Sequence, residues 1–401
     1  MHHTDDVPAS GARPRLSTLV VEAAVLFLAL RIGLSLLGAF MATQGVPSPC
    51  HFEEALAGWQ TMPELLRDGP AFPLAGVWER WDACWYMKIA TYGYEPGERS
   101  VAFFPLFPAA VRVVGTVTAL PYPVAGMIVS ALAYVAAITG LLRLISDSHG
   151  LRIARQTALY LSVFPAAFYL LAPLTESLFL AAAVWSLALA RERRWLLAAV
   201  CATLAGLTRA QGLLLAIPLA WEAFVAVREM RPPSLSAAAR ALASVPAVLA
   251  PVAVFIGFGL VTRAVTGETP YDAQSLWGGT DFHPPWAVVA ASVGWIVERG
   301  DLMQALNLVA LLGAAVLLAV GVRRMPLTYS LYAWPPLLLV ATRIQPTPLT
   351  STTRYVLVLF PVFVVAALLT EHPWLRRAWL MISLILLGVA ATMFLQGDFV
   401  A

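Results

Sequence analysis

The sequence predicts an all-α polytopic membrane protein. Of its 401 residues, 60% are hydrophobic and only 12% are charged, whereas soluble domains carry about 25% charged residues. The mean hydropathy is +0.76, more apolar surface than one soluble core can hide. The apolar residues fall in long runs separated by small groups of arginines, as bilayer spans are separated by their orientation signals. The net charge of +3 comes from dispersed basic residues without a basic stripe, which argues against nucleic acid as a partner.

A helix needs about 20 apolar residues to cross the hydrocarbon core. Spans are predicted at 16–42, 122–145, 155–172, 174–190, 195–209, 211–228, 239–262, 302–321, 326–342, 355–370 and 377–395. That makes about 11 transmembrane helices, with roughly 10–13 allowed by the shorter runs. The runs at 195–209 and 211–228 read equally as two crossings or as one broken helix. The first run is too long for a cleavable signal peptide and lacks a small-residue cleavage site, so it is a span.

The basic residues orient these spans. Arg13 and Arg15 precede the first, and Arg143, Arg152 and Arg155 flank the second connection. Arg191, Arg193 and Arg194, then Arg228, Arg231 and Arg240, then Arg323 and Arg324, then Arg376 and Arg377 follow. With the N-terminus inside, every cluster lands on the cytoplasmic side. Counting the apolar segment 101–120 as a crossing would put the later clusters outside. That segment is therefore predicted to be an interfacial or re-entrant helix. The organisation expected is a single membrane domain, 1–401, with a first outer loop at 43–121 and a second at 263–301.

No P-loop, GxGxxG or HExxH motif is present, which argues against nucleotide-driven pumping and zinc hydrolysis. Cys50, Cys84 and Cys201 have no metal-ligand spacing. Cys50 and Cys84 share the first loop and read either as a disulfide in an oxidising compartment or as unrelated thiols.

The polar residues with chemical potential lie almost entirely on the outer side. Asp82 sits between Trp81 and Trp85. A partly desolvated carboxylate is a better base, and one carboxylate suffices to take the proton of an attacking sugar hydroxyl in an inverting displacement. Trp81, Trp85 and Tyr86 offer flat faces on which pyranose rings stack. The plainer readings are an interfacial aromatic belt and, for Asp82, the N-cap of the helix beginning at Ala83. Glu176 is either an acid near a helix N-terminus or a group that positions an acceptor or orients an arginine. Arg209 requires an anion, either Glu176 or a phosphate, and Arg354 could hold a phosphate similarly. Lys88 is a weaker phosphate ligand, which could instead snorkel to headgroups. Gln274, Trp277 and His283 in the second outer loop are candidates for acceptor or sugar binding, His283 more simply as a loop hydrogen-bonder.

Trp81-Asp82, Tyr86, Ile89-Ala90, Gly93-Tyr94 and Ala102-Phe103-Phe104-Pro105-Leu106-Phe107-Pro108 together resemble the PIG-V-like mannosyltransferases. The resemblance continues in Phe164-Pro165, Pro173-Leu174-Thr175-Glu176-Ser177 and Thr208-Arg209-Ala210-Gln211-Gly212. It recurs in Gln274, Trp277-Gly278, Pro285-Trp286, Arg354-Tyr355 and Phe360-Pro361. It implies a GT-C glycosyltransferase fold with a catalytic Asp in the first outer loop, here Asp82. It further implies polyprenyl-phosphate mannose as donor, an α-mannoside product formed with inversion, and no cofactor or required metal; no Asp-x-Asp accompanies Asp82. The partners expected are membrane lipids, the lipid-linked donor and a lipid or glycolipid acceptor. The Ala, Leu, Arg and Pro bias suggests a bacterial plasma membrane, with the site facing outward. The alternatives are another lipid-linked pentose or hexose, a protein acceptor, or a lipid or solute transporter.

Overall fold

A computed structural model describes residues 14–46, 50, 69, 72–229, 235–275, 281–344 and 347–400. Arg13, Arg231 and Trp277 lie outside the described residues. Among those described, every regular element is helical, and the strand-like pairings are the isolated bridges Phe282–Arg343 and Ile344–Pro348. The helices are α1 (Leu16–Thr43), α2 (Asp82–Tyr92), α3 (Leu106–Thr118), α4 (Tyr122–Ser162), α5 (Glu176–Arg191), α6 (Trp195–Gly206), α7 (Ala216–Arg228) and α8 (Leu235–Thr266). They continue with α9 (Pro270–Ser275), α10 (Pro285–Arg299), α11 (Leu302–Gly321), α12 (Leu327–Val340), α13 (Thr352–Leu357), α14 (Phe360–Leu369) and α15 (Pro373–Gln396).

Six described segments are long and apolar enough to cross a membrane: Leu16–Thr43, Tyr122–Ser162, Ala210–Arg228, Ala241–Thr266, Leu302–Gly321 and Pro373–Gln396. Four more apolar helices are shorter: α3, α6, α12 and α14. The chain is thus an all-α polytopic membrane protein. α4 and α5 form its buried centre, with α1, α3 and α14 packed on α4 and with α6 on α5. On α1, Val21, Val25, Leu28, Ile32, Leu36 and Phe40 remain exposed. An apolar stripe of that kind suits lipid rather than water.

Several expected boundaries are corrected. The spans expected at 122–145 and 155–172 are separated as expected, by a break at Gly150, whose φ of 78° and ψ of 160° lie outside the helical region; the correction is to the length of the second. The second part ends at Ser162, because the residue before Pro165 is disfavoured in helical geometry. Residues 163–175 are turns with a 3-10 segment at Ala167–Leu170. The span expected at 355–370 is likewise split into α13 and α14, with Pro361 in the first turn of α14. The segment expected to be interfacial contains α3, whose 13 residues reach only about 20 Å at 1.5 Å per residue. α3 buries Phe107, Val111 and Gly115 and leaves Val113 and Val117 exposed.

The alternatives left open near 195–228 resolve into a hairpin. α6 ends at Gly206 and a 3-10 turn, Ala210–Leu215, leads into α7. A Cβ on Gly212 would lie 2.6 Å from the backbone of Ala205 and Gly206, so the turn closes only with glycine there. Gly212→Ala is expected to destabilise the protein by about 1–3 kcal/mol. A thermal unfolding midpoint equal to wild type would contradict that packing.

Described arginines of these clusters gather at one end. Arg143 pairs with Glu192 at 2.6 Å, Arg155 with Glu22 at 2.5 Å, Arg152 with Glu371 at 2.6 Å and Arg193 with Glu229 at 2.6 Å. Glu176 opens α5 and Arg191 closes it, which separates that end from Glu176 by about 22 Å at 1.5 Å per residue.

Candidate active site

Asp82 is the first helical residue of α2, and Trp81 occupies the N-cap position with φ 51° and ψ −121° and no capping bond from its side chain. The expectation that Asp82 caps the helix is therefore corrected: it sits one residue too far into the helix. Its Oδ2 accepts a 2.7 Å hydrogen bond from Nη1 of Arg354. Its Oδ1 receives none from the described residues, and its side chain is 26% exposed.

Arg354 comes from α13, 272 residues later in the chain. Its Nε and Nη2 both donate to Oε1 of Glu176, at 2.9 and 2.7 Å. Its guanidinium lies 4.5 Å above the Tyr169 ring, a cation–π contact. The short α13 is held from α11: the Asn307 Oδ1 accepts the Thr353 N–H at 2.9 Å. Gln304 donates to the Pro348 carbonyl and, at 2.9 Å, to the Ser292 hydroxyl.

Glu176 follows Pro173-Leu174-Thr175 and opens α5, where the helix dipole favours a carboxylate. Its Oε1 also accepts a 2.6 Å bond from Nη1 of Arg209, which donates to the Thr175 hydroxyl at 3.1 Å. Arg209 precedes the 3-10 turn at 210–215 and stands 5.7 Å from the Tyr355 ring. Two carboxylates thus balance two guanidiniums in one cluster drawn from four parts of the chain. Such balance is needed, because an unpaired charge buried from water costs several kcal/mol, on the order of 3–5 when one partner of a pair is removed.

Exposure divides the cluster. Glu176 and Arg354 have side chains 0% and 6% exposed, against 26% for Asp82 and 13% for Arg209. Glu176 and Arg354 can hold the site together but have little surface to offer a ligand. Asp82 and Arg209 can reach one. Nε and Nη2 of Arg209 have no acceptor among the described residues, so Arg209 keeps donors to spare while Arg354 spends its own on carboxylates.

Other expected site residues are placed differently. Trp85 is fully buried and stacks on Phe103 at 5.6 Å, so its faces are not available to a sugar. Tyr86 is buried between Phe103 and Phe107, edge-on to both at 5.3 and 5.2 Å. Burial pushes the Tyr86 phenol up, which keeps it a neutral donor. Lys88 bonds Glu98 and lies 5.5 Å from the Trp85 ring, and among the described residues it makes no bond to the arginine cluster. Trp81 remains partly exposed. The residues that were missed are Tyr169 and Asn307, while Thr175 and Tyr355 stood in the motifs without a role. Asn307 carried a signal: an amide in the middle of an apolar span.

Gln274 lies half-buried on α9, which packs on the 3-10 segment Arg99–Ala102. The segment expected to form the second outer loop thereby packs on the one expected to form the first. The His283 backbone N–H donates to the Thr342 carbonyl at 2.8 Å, a loop tie that accounts for its position. Among the described residues, neither Gln274 nor His283 bonds the cluster, and no three His, Cys, Asp or Glu side chains converge as a metal site would need.

Cys50 and Cys84 form a disulfide with Cα atoms 5.6 Å apart, which decides between the two readings of those thiols. It ties the chain after α1 to the first turn of α2, two residues from Asp82. Reduction is expected to lower stability by about 2–4 kcal/mol. Unfolding midpoints unchanged by a reductant that yields free thiols would contradict this.

A helical membrane protein with a charge-balanced carboxylate–arginine cluster at one end has the features of a membrane-embedded transferase. The family model described as Mannosyltransferase (PIG-V) matches residues 40–256. That is more than half of the chain, which therefore belongs to the PIG-V mannosyltransferase family and is a glycosyltransferase. Asp82, Glu176 and Arg209 fall inside the matched part, and Arg354 falls beyond it. No curated protein and no solved structure matches the chain.

Proposed function

We propose that the enzyme transfers mannose from polyprenyl-phosphate mannose to a lipid or glycolipid acceptor on the outer face of a bacterial plasma membrane, with inversion at the anomeric carbon. The observation that carries this reading is the cluster itself. Within it, among the described residues, Asp82 keeps a partly exposed carboxylate oxygen without a donor, and Nε and Nη2 of Arg209 have no acceptor.

Asp82 Oδ1 takes the proton of the acceptor hydroxyl as its oxygen attacks the anomeric carbon. The bond from that carbon to the phosphate oxygen breaks, and the polyprenyl phosphate leaves with the electron pair. Arg209 neutralises the charge that develops on the phosphate. Arg354 and Glu176 hold both groups in place, and the phosphate role first considered for Arg354 passes to Arg209. An apolar cleft of about 290 Å³, lined by Tyr94, Pro105, Leu207, Phe258, Val261 and Val265, suits the lipid tail. Leu207 lies two residues from Arg209, which brings the lining of the cleft near the cluster. The collection of arginines at the opposite end supports an outward-facing site.

The test supplies purified protein in proteoliposomes with either polyprenyl-phosphate mannose or a nucleotide-activated mannose. Transfer from the lipid donor alone is expected, and it is expected to persist in EDTA. Transfer from the nucleotide sugar alone would reject the donor, and a loss in EDTA restored by a divalent cation would reject metal independence.

A further inference from the structure

Both members of the Asp82–Arg354 pair follow left-handed backbone. Trp81, directly before Asp82, has φ 51°, and Leu349 and Ser351, before Arg354, have φ 57° and 63°. In residues other than glycine such geometry costs about 1–3 kcal/mol and persists only where the surroundings over-determine it. For Arg354 those surroundings are the Asn307 and Gln304 bonds from α11. For Asp82 they come from the end of α15 and residues 397–400.

Gly397 ends α15 with φ 93°, a conformation open to glycine, and the chain turns back toward α2. The Trp81 indole N–H then donates to the Asp398 carbonyl at 3.1 Å. The Phe399 and Trp81 rings meet edge-on, 5.0 Å apart at 75°, a favoured aromatic geometry. One turn earlier, Phe394 stacks on Trp78 at 6.4 Å and meets Tyr169, the ring beneath Arg354, at 5.5 Å. A single segment therefore braces the backbone before Asp82 and the aromatic floor under its partner.

We propose that Phe399 is a positioning residue for Asp82, acting through Trp81; its catalytic consequence rests on the reading of Asp82 as the base. With Phe399 in place, Trp81 is held at its strained φ and Asp82 is aimed at Arg354 and the acceptor. Without it, Trp81 loses the edge-on ring contact that packs its indole, the peptide before Asp82 relaxes, and the carboxylate turns. A displacement of about 1 Å can cost up to about 10²-fold in rate.

The experiment compares Phe399→Ala, Phe399→Tyr and Trp81→Phe in the full chain. It reads kcat and KM for polyprenyl-phosphate mannose, the unfolding midpoint, and carbodiimide labelling of Asp82 by peptide mass spectrometry. Phe399→Ala is expected to lower kcat by about tenfold or more, to leave KM and the midpoint near wild type, and to increase Asp82 labelling. Phe399→Tyr, which keeps the ring edge, should restore all of these. Should Phe399→Ala fail to fold, Trp81→Phe, which keeps an aromatic ring but loses the indole N–H and the packing of the second ring, is read by the same criteria. Wild-type kcat together with wild-type labelling overturns the proposal, as does a rise in KM with kcat unchanged. Increased labelling with undiminished transfer upholds the positioning and rejects Asp82 as base.

Discussion

Asp82→Asn is expected to reduce mannosyl transfer by about 10²–10⁴-fold, the usual contribution of a positioned general base, while the protein stays folded. The amide keeps the size of the carboxylate, and its oxygen can still accept the Nη1 bond that Arg354 gives Oδ2 at 2.7 Å. What is lost is a basic oxygen at the free Oδ1 position. The folded state should tolerate this, because Arg354 retains both bonds to Glu176. Wild-type turnover in folded Asp82→Asn would remove Asp82 from the chemistry, leaving it as the first residue of α2 with an ion pair to Arg354.

Glu176→Gln should produce a different kind of loss. Glu176 is fully buried and its Oε1 takes three arginine bonds, at 2.6, 2.7 and 2.9 Å. Neutralising it leaves two guanidiniums facing one remaining carboxylate, so stability should fall by about 3–5 kcal/mol. The double variant Glu176→Gln with Arg209→Met restores the balance of charge and should recover part of that stability. It should not recover transfer, because Arg209 is also the group assigned to the phosphate. If the double variant were less stable than Glu176→Gln alone, the cluster would not be held together by charge balance. If it regained transfer, the phosphate assignment would fail. Thermal unfolding and transfer measured on the same preparations separate these results.

Much of this architecture was legible in the sequence because bilayer physics writes it in composition. Run lengths placed α1, α11 and α15 within a few residues, and charge placed the arginines together at one end. The need of a buried cation for an anion left Arg209 with Glu176 or a phosphate, and the structure pairs it with Glu176. The break at Gly150 was legible in the polar stretch 146–155, but the one at Phe164-Pro165 was less so, because hydropathy continues through it while the backbone does not. Arg354 was singled out, but not its grip on two carboxylates, since 272 residues separate it from Asp82 and no local pattern encodes such a contact. The aromatic face of α2 misled for a related reason. Trp85 and Tyr86 lie three and four positions after Asp82, on its side of the helix. Their rings are covered by Phe103 and Phe107, which belong to the same Phe-Phe-Pro-Leu-Phe-Pro motif that named the family. Two signals read separately thus prove to be one packed unit, with Asp82 at its edge.

The central claim, a single-displacement transfer with Asp82 as the one base, is tested most directly by the configuration of the product. Purified enzyme is given β-linked polyprenyl-phosphate mannose and acceptor, and the anomeric proton of the first-formed glycoside is read by NMR. Inversion by one carboxylate predicts an α-mannoside throughout. A β-mannoside would require a second displacement through a covalent intermediate, with a carboxylate such as Asp82 acting as nucleophile instead of base, and it would contradict the account.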